Sequence, residues 1–355
     1  MRSSPPLKKS QTDPAQAFPM NSQSASVVGA GTAIVDLLVR VDDGFLTQEL
    51  PDGRGNTTWV DAARLDEMIR RLHEQGFRPE KAPGGSTGNL LCGLSELGCG
   101  TRFLGWLGLD DDGAYYRDTF AQSGGGIGSF KNLSSKHTGR CLSLVSPDAD
   151  RSMVTDLGAS AEMRADGILP SDLDGATLLH TEGYLCGLKD RTFLPSLFES
   201  AKNAGIPVSF DLASYGIVRE YRAELRAYLS KYVDIVFANE LEAAEFAGTN
   251  DPDSMLDALA QFCPVAAVKL GALGSIVRMD GHTVRIAPET ADSVDATGAG
   301  DLWQAGFLFG WLNHAAPEIC GRIGSILGAA AVSHFGARLP ESVWQELRVR
   351  IRSMV

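Results

Sequence analysis

Cysteine is scarce in this chain. The six residues Cys92, Cys99, Cys141, Cys186, Cys263 and Cys320 show no CxxC spacing and no Cys/His pair at zinc spacing, which excludes a zinc finger and a redox dithiol. Their mostly apolar surroundings predict buried free thiols in a reducing, cytoplasmic setting. The histidines at 73, 137, 180, 282, 314 and 334 have no i,i+4 pairing and no HExxH spacing, so structural or surface roles are expected of them rather than metal ligation. No apolar run reaches the roughly 18 residues of a membrane span, and the N-terminus lacks the apolar core of a signal peptide. Positive charge is in deficit: the net charge is -12 and the isoelectric point near 5.0. Long-range repulsion of polyanions then excludes nucleic acid and anionic membranes as partners. A polyphosphate ligand would need a local positive site, and no GxxxxGK[ST] loop is present to supply one.

What is present fits one large α/β domain. At 355 residues and 44% hydrophobic composition, the chain can bury a sizeable core. Residues 1–26 are rich in Ser, Pro, Gln and Lys, and are expected to form a disordered tail. From Val27 onward, short apolar runs (Val27-Val28, Thr177–Leu179, Val208–Phe210, Val233–Phe237, Val265–Val268) alternate with longer helical patterns. This rhythm predicts a doubly wound, mainly parallel central sheet flanked by helices. Several runs end in polar residues: His180 with Glu182, Asp211, and Asn239 with Glu242. In an open parallel sheet, ligands bind outside the carboxyl ends of the strands, so these side chains are expected to converge on one crevice. Two segments, about 39–61 and 140–156, read as strands and turns without helices, the second as a hairpin around Pro147–Asp150. They are expected to form a small β lid over that crevice.

The segment Asp295-Ala296-Thr297-Gly298-Ala299-Gly300-Asp301 precedes a helix whose Leu302, Ala305, Phe309 and Leu312 share one face. Glycines there leave backbone amides uncovered at the positive end of a helix dipole, an anion hole for a phosphoryl group in its charged transition state. Asp301, in the first turn, can take the proton of a hydroxyl lying between itself and that group. The plainer alternative is a tight loop with a capping aspartate. A second block, PGGSTGNLLCGLSELG at 83–98, sets Gly84-Gly85 before a helix ended by Gly98, a suitable C-cap. The glycines permit close approach to the backbone, and Asn89 can both donate and accept a hydrogen bond. Gly29-Ala30-Gly31 is a weak dinucleotide signal, since Ile34 stands where a third glycine would be needed.

Together these blocks resemble the ribokinase (PfkB) family from about Val27 to Glu346, the 84–98 block resembling its first signature and Asp295–Asp301 its second. The resemblance implies phosphotransfer from ATP to an alcohol, with Asp301 as base and Gly298, Ala299 and Gly300 around the phosphoryl group. Asn239 and Glu242 are similar to the NxxE motif, implying that they organise Mg²⁺ through water. Lys269, Gly271 and Gly274 resemble the border of the ATP site, with Asp295 and Thr297 beside it; in some relatives a monovalent cation such as K⁺ sits next to the residue at Asp295. The segments 151–160, 181–187 and 232–248 look most like adenosine kinases. That likeness implies Asp36 as clamp on vicinal sugar hydroxyls, helped by Gly84, Gly85 and Asn89, with Arg151 in the lid and Tyr184 beside the base or sugar. Thr32 stands where adenosine kinases usually carry Asn. The expected acceptor is therefore an adenosine-like nucleoside phosphorylated at its 5′-hydroxyl, with fructose, ribose or a related sugar as the alternative. A nucleotide-binding regulator without turnover is the reading from another class. The expected assembly is a monomer or homodimer.

Overall fold

The computed structural model describes residues 25–50, 57–147 and 151–355. Its main sheet has eight strands in the order Gly100–Leu104, Ser26–Ala30, Leu178–Glu182, Val208–Asp211, Ile235–Asn239, Val265–Lys269, Ser275–Met279 and His282–Ile286. The first six are parallel, Ser275–Met279 runs against them, and His282–Ile286 turns back again in an antiparallel hairpin with it. The antiparallel edge, not foreseen from the sequence, is set by Asp280 and Gly281, which take φ values of 52° and 78°. Two left-handed residues between paired strands are the type I′ geometry that favours Asp-Gly.

Helices cover both faces. On one face, Ser86–Glu96, Ala299–Leu312, Pro317–Val332 and Glu341–Arg352 bury Leu90, Leu94, Phe307 and Ile323 against the sheet. On the other, Phe193–Asn203, Tyr215–Lys231, Glu240–Ala247 and Pro252–Ala260 bury Leu197, Leu225, Phe246 and Leu256. The sequence reading made Ala299–Leu312 amphipathic. The structure also buries Trp303, Phe307 and Leu308, so this helix lies inside the protein. Small residues let its neighbour close on it: a Cβ at Gly306 would stand 2.7 Å from the Ile323 carbonyl oxygen.

A second, five-stranded sheet runs Thr57–Trp59, Arg151–Gly158, Thr138–Val145, Ile34–Arg40, Glu80–Pro83, over its own small core of Phe45, Leu46, Leu65, Met68 and Val154. It occupies the place expected of the lid but draws on more chain than two insertions. The hairpin expected in 140–156 is present as Thr138–Val145 paired with Arg151–Gly158; residues 148–150 of its turn lie outside the described residues. The segment 39–61 does contain a helix, Asp43–Glu49, contrary to the reading from sequence. Asp42 caps it by accepting from the Phe45 amide at 2.8 Å, and seven residues are too few to display helical periodicity. Residues 1–24 of the expected tail also lie outside the described residues. Ala25 is already buried, and the first strand starts at Ser26.

Candidate active site

A cavity of about 280 Å³ opens between the two sheets. Asp211 and Asn239 reach it from carboxyl ends of the main strands, Lys269 from the next strand, and Asp301 from the first turn of the buried helix. Asp36, Arg151 and Thr57 enter from the lid sheet. His180 and Glu182 do not reach the crevice, contrary to the sequence expectation. His180 is fully buried and pairs through Nδ1 with the Ser209 hydroxyl at 2.8 Å. The Glu182 carboxylate is spent as a brace: it accepts from the amide and hydroxyl of Thr32 at 3.0 and 2.9 Å and from those of Thr87 at 2.9 and 2.8 Å.

Asp301 is held from two directions. The Ser86 hydroxyl donates to Oδ1 at 2.7 Å and the Asn89 amide to Oδ2 at 2.9 Å. Ser86 was not singled out from sequence; its place one residue past Gly84-Gly85 was the available signal. A helix N-terminus alone would lower the Asp301 pKa. Burial instead raises it, against the pull of Asn89 and Ser86 and with a further push from Asp211.

The loop before Asp301 is bolted by Asp295, which lines neither this cavity nor the next. One carboxylate oxygen accepts from the Thr297 amide and hydroxyl at 3.0 and 2.7 Å, and the other from the Gly336 amide at 2.9 Å. Gly298 then takes φ 71° as the helix N-cap, with Ala337 so close that a Cβ would stand 2.4 Å away. The amides of Gly300 and Asp301 lie in the first helical turn, where they have no intrahelical acceptor. The Ala299 amide turns back to the Ala296 carbonyl at 3.3 Å, so it contributes less to the anion hole than expected. Lys269 supplies the local positive charge: its ammonium would be 3.3 Å from a Cβ on Gly300 and is 3.8 Å from Asp211. Gln304, one turn along the helix, also donates to Asp211.

Asn239 and Glu242 form a reciprocal cap. Asn239 accepts from the Glu242 amide at 2.9 Å, while Glu242 accepts from the Asn239 amide nitrogen and side chain at 2.7 and 2.6 Å. Burial pushes the Glu242 pKa well up, with Asp211 adding to it and Lys269 opposing. Among the described residues, no cluster of three or more His, Cys, Asp or Glu could ligate a metal directly. An all-oxygen pair already held by hydrogen bonds fits a hydrated hard cation such as Mg²⁺, gripped through its waters and the substrate phosphates.

At the opposite end, Asp36 abuts Gly84, where a Cβ would stand 2.3 Å from its carboxylate. Gly85 caps the adjoining helix at φ 84° and lines the cavity with Asn89. Burial raises the Asp36 pKa to about 7, with Arg151 pulling it down and Asp301 pushing it up. Tyr184 meets Trp59 edge to face at 6.0 Å, making an aromatic wall; Trp59 was not foreseen because the lid strand bearing it is only three residues long. Thr32 lines the same cavity, with its hydroxyl proton committed to Glu182.

A second cavity of about 340 Å³ adjoins the first and shares Lys269 and Gly300 with it. Gly271, Gly274 and Ala299 line it along with Pro288, Trp303 and Val332, a mostly apolar chamber for a flat ring. Apart from Asp295 and Gly84, the site residues expected from sequence line these two cavities, which meet at Lys269 and Gly300.

Residues 56–344 match the family described as pfkB family carbohydrate kinase. The fold superimposes on the adenosine kinase of Sinorhizobium meliloti with a TM-score of 0.85, 30% identity and coverage of 92% of this chain and 99% of that one. An uncharacterized sugar kinase of Archaeoglobus fulgidus is 28% identical over 71% of this chain and 99% of its own length. An ATP-dependent ribose-1-phosphate kinase of Halopiger xanaduensis is 24% identical over 80% and 92%.

Proposed function

We propose that this chain, which belongs to the pfkB family of carbohydrate kinases, transfers the γ-phosphoryl group of ATP to the 5′-hydroxyl of a purine ribonucleoside. The observation that carries the proposal is the pair of cavities meeting at Lys269 and Gly300, with Asp301 on the acceptor side of that junction. ATP occupies the apolar chamber and presents its terminal phosphate to the amides of Gly300 and Asp301. The acceptor lies in the other cavity, its vicinal hydroxyls donating to Asp36 and its base against Trp59 and Tyr184. The bond from phosphorus to the acceptor oxygen forms as the bond to the ADP oxygen breaks, and the acceptor proton passes to Asp301. Lys269 and the helix terminus neutralise charge on the transferring group, and Arg151 approaches it from the lid. Phosphoryl transfer asks for alignment and charge neutralisation more than for covalent help. Asn239 and Glu242 would hold Mg²⁺ through its waters, and the ion would supply further neutralisation of the phosphates. Position, rather than a low pKa, suits Asp301 to its role, because the proton leaves late in a loose transition state.

The aromatic wall favours a nucleoside over a free sugar, which would leave Trp59 and Tyr184 facing hydroxyls. Fructose or ribose is the second reading, favoured by Thr32, whose hydroxyl proton is already used. ADP release should be followed over adenosine, guanosine, inosine, 2′-deoxyadenosine, ribose and fructose with wild type and Asp301→Asn. The expected result is adenosine as the best acceptor, 2′-deoxyadenosine much poorer because Asp36 loses a donor, and turnover down roughly a hundredfold or more in Asp301→Asn. Ribose or fructose used tenfold more efficiently than adenosine would replace the nucleoside reading with the sugar one.

A further inference from the structure

Gln304 lies three residues beyond Asp301, on the same face of their helix. It is a polar side chain in a buried run with Leu302, Trp303, Ala305 and Phe307. It has no accessible surface, and only half of its amide is used: Nε2 donates to Asp211 Oδ2, while the buried Oε1 has no hydrogen-bond partner. A buried acceptor without a donor costs more than an apolar side chain of the same shape would. Stability alone therefore does not account for a glutamine at this position.

The half that is used bears on Lys269. Asp211 is held at both oxygens: Oδ1 accepts from the Ala213 amide at 3.3 Å, across a turn in which Ala213 takes the left-handed φ of 72°, and Oδ2 accepts from Gln304. The Lys269 ammonium stands 3.8 Å from that same Oδ2, beyond hydrogen-bond reach. At this distance it borders both cavities beside Gly300. A carboxylate and an ammonium this close and this little exposed attract strongly and, left alone, would close to contact. The donor already on Oδ2 draws off part of the charge that Lys269 would otherwise meet. Where the ammonium stands matters across the cavity, since Asp211 raises the pKa of Asp301 and of Glu242 while Lys269 lowers both. We propose that Gln304 is a positioning residue that holds the Asp211 carboxylate off Lys269, keeping the ammonium at the junction of the two cavities for the transferring phosphoryl group. This role rests on the phosphotransfer reading, whichever acceptor is used.

Gln304→Met keeps the length of the side chain and removes its donor. With the best-used acceptor, kcat is expected to fall at least tenfold while KM for that acceptor stays within about twofold of wild type, the mark of an interaction made in the transition state. In a Lys269→Met background the same substitution should change kcat by less than about twofold, because its effect passes through the ammonium. The crystal structure of Gln304→Met should show the ammonium closed to about 3 Å from Asp211. Should Gln304→Met not fold, Gln304→Asn, whose shorter side chain withdraws the amide from Asp211, should give the same pattern. Wild-type kcat in the variant that folds, equal losses in the two backgrounds, or an ammonium left at its wild-type distance would overturn the role. Absence of ADP release by wild type with every acceptor would sink the phosphotransfer reading instead, and the position of the ammonium in the variant structure would still decide whether Gln304 restrains it.

Discussion

At the scale of single residues, the site is governed by carboxylates in different surroundings. Glu182 is satisfied by four donors and serves as scaffold, Asp295 is consumed in a turn, and Asp301 keeps two donors that, in the proposed reaction, a substrate hydroxyl would have to join or displace. Asp36 has no such set and sits at a pKa of about 7, raised mainly by burial. In the proposed reaction its carboxylate would be the form that accepts two sugar hydroxyls, so kcat/KM for the acceptor should rise by about tenfold per unit as pH approaches 7 from below, then level off. Its folded pKa also exceeds its unfolded one. Its contribution to stability is thus fully present below pH 4 and is lost as pH rises through 7. Asp36→Asn should weaken the acceptor, remove that limb of the pH profile, and raise the thermal midpoint more at pH 8 than at pH 5. A mutant that retained the limb would show that another group titrates there.

At the scale of elements, the geometry around Asp301 depends on a turn and a helix held from both sides. Gly298 adopts φ 71°, and Ala337 fills the space where a side chain would begin. Gly298→Ala therefore meets both backbone strain and a clash, and should cost about 1–3 kcal/mol of stability. Turnover should fall at least tenfold through displacement of the Gly300 and Asp301 amides, while Gly248→Ala, at another left-handed helix end with open space around it, should cost stability alone. Equal turnover losses in the two variants would mean that the turn has no special part in transfer. This turn was legible in the sequence because its glycines and aspartates are contiguous, as were Asn239 with Glu242 and the parallel strand runs. Ser86 and Trp59 were not, since their partners Asp301 and Tyr184 lie more than a hundred positions away. The helix Asp43–Glu49 escaped for want of length, and the antiparallel edge because a two-residue Asp-Gly signal is faint beside the parallel rhythm before it. The direction of the Asp301 pKa was not legible either, because burial outweighs the helix dipole and Asp211 adds to it, and local sequence places neither.

At the scale of the whole molecule, the central sheet carries a polar group whose only role in the structure is internal. His180 lies fully buried between the two helical layers, bonded to Ser209, and burial lowers its pKa to about 4 against a smaller upward pull from Asp211. It is therefore neutral in the folded protein at neutral pH. The unfolded chain, with an ordinary histidine pKa near 6.5, binds a proton that the native state refuses. By linkage, the contribution of His180 to stability is intact above pH 6.5 and is lost progressively down to pH 4, by about 3 kcal/mol in all. Buried carboxylates with raised pKa, Asp36, Glu182 and Asp301 among them, act with the opposite sign in part of that window, so the wild-type curve alone is ambiguous. The difference between wild type and His180→Gln isolates the effect. Urea unfolding at half-unit steps from pH 7.5 to 4.5 should show the variant less stable at neutral pH and the gap narrowing steadily below pH 6.5. A gap constant across that range would mean that His180 keeps its proton balance on folding.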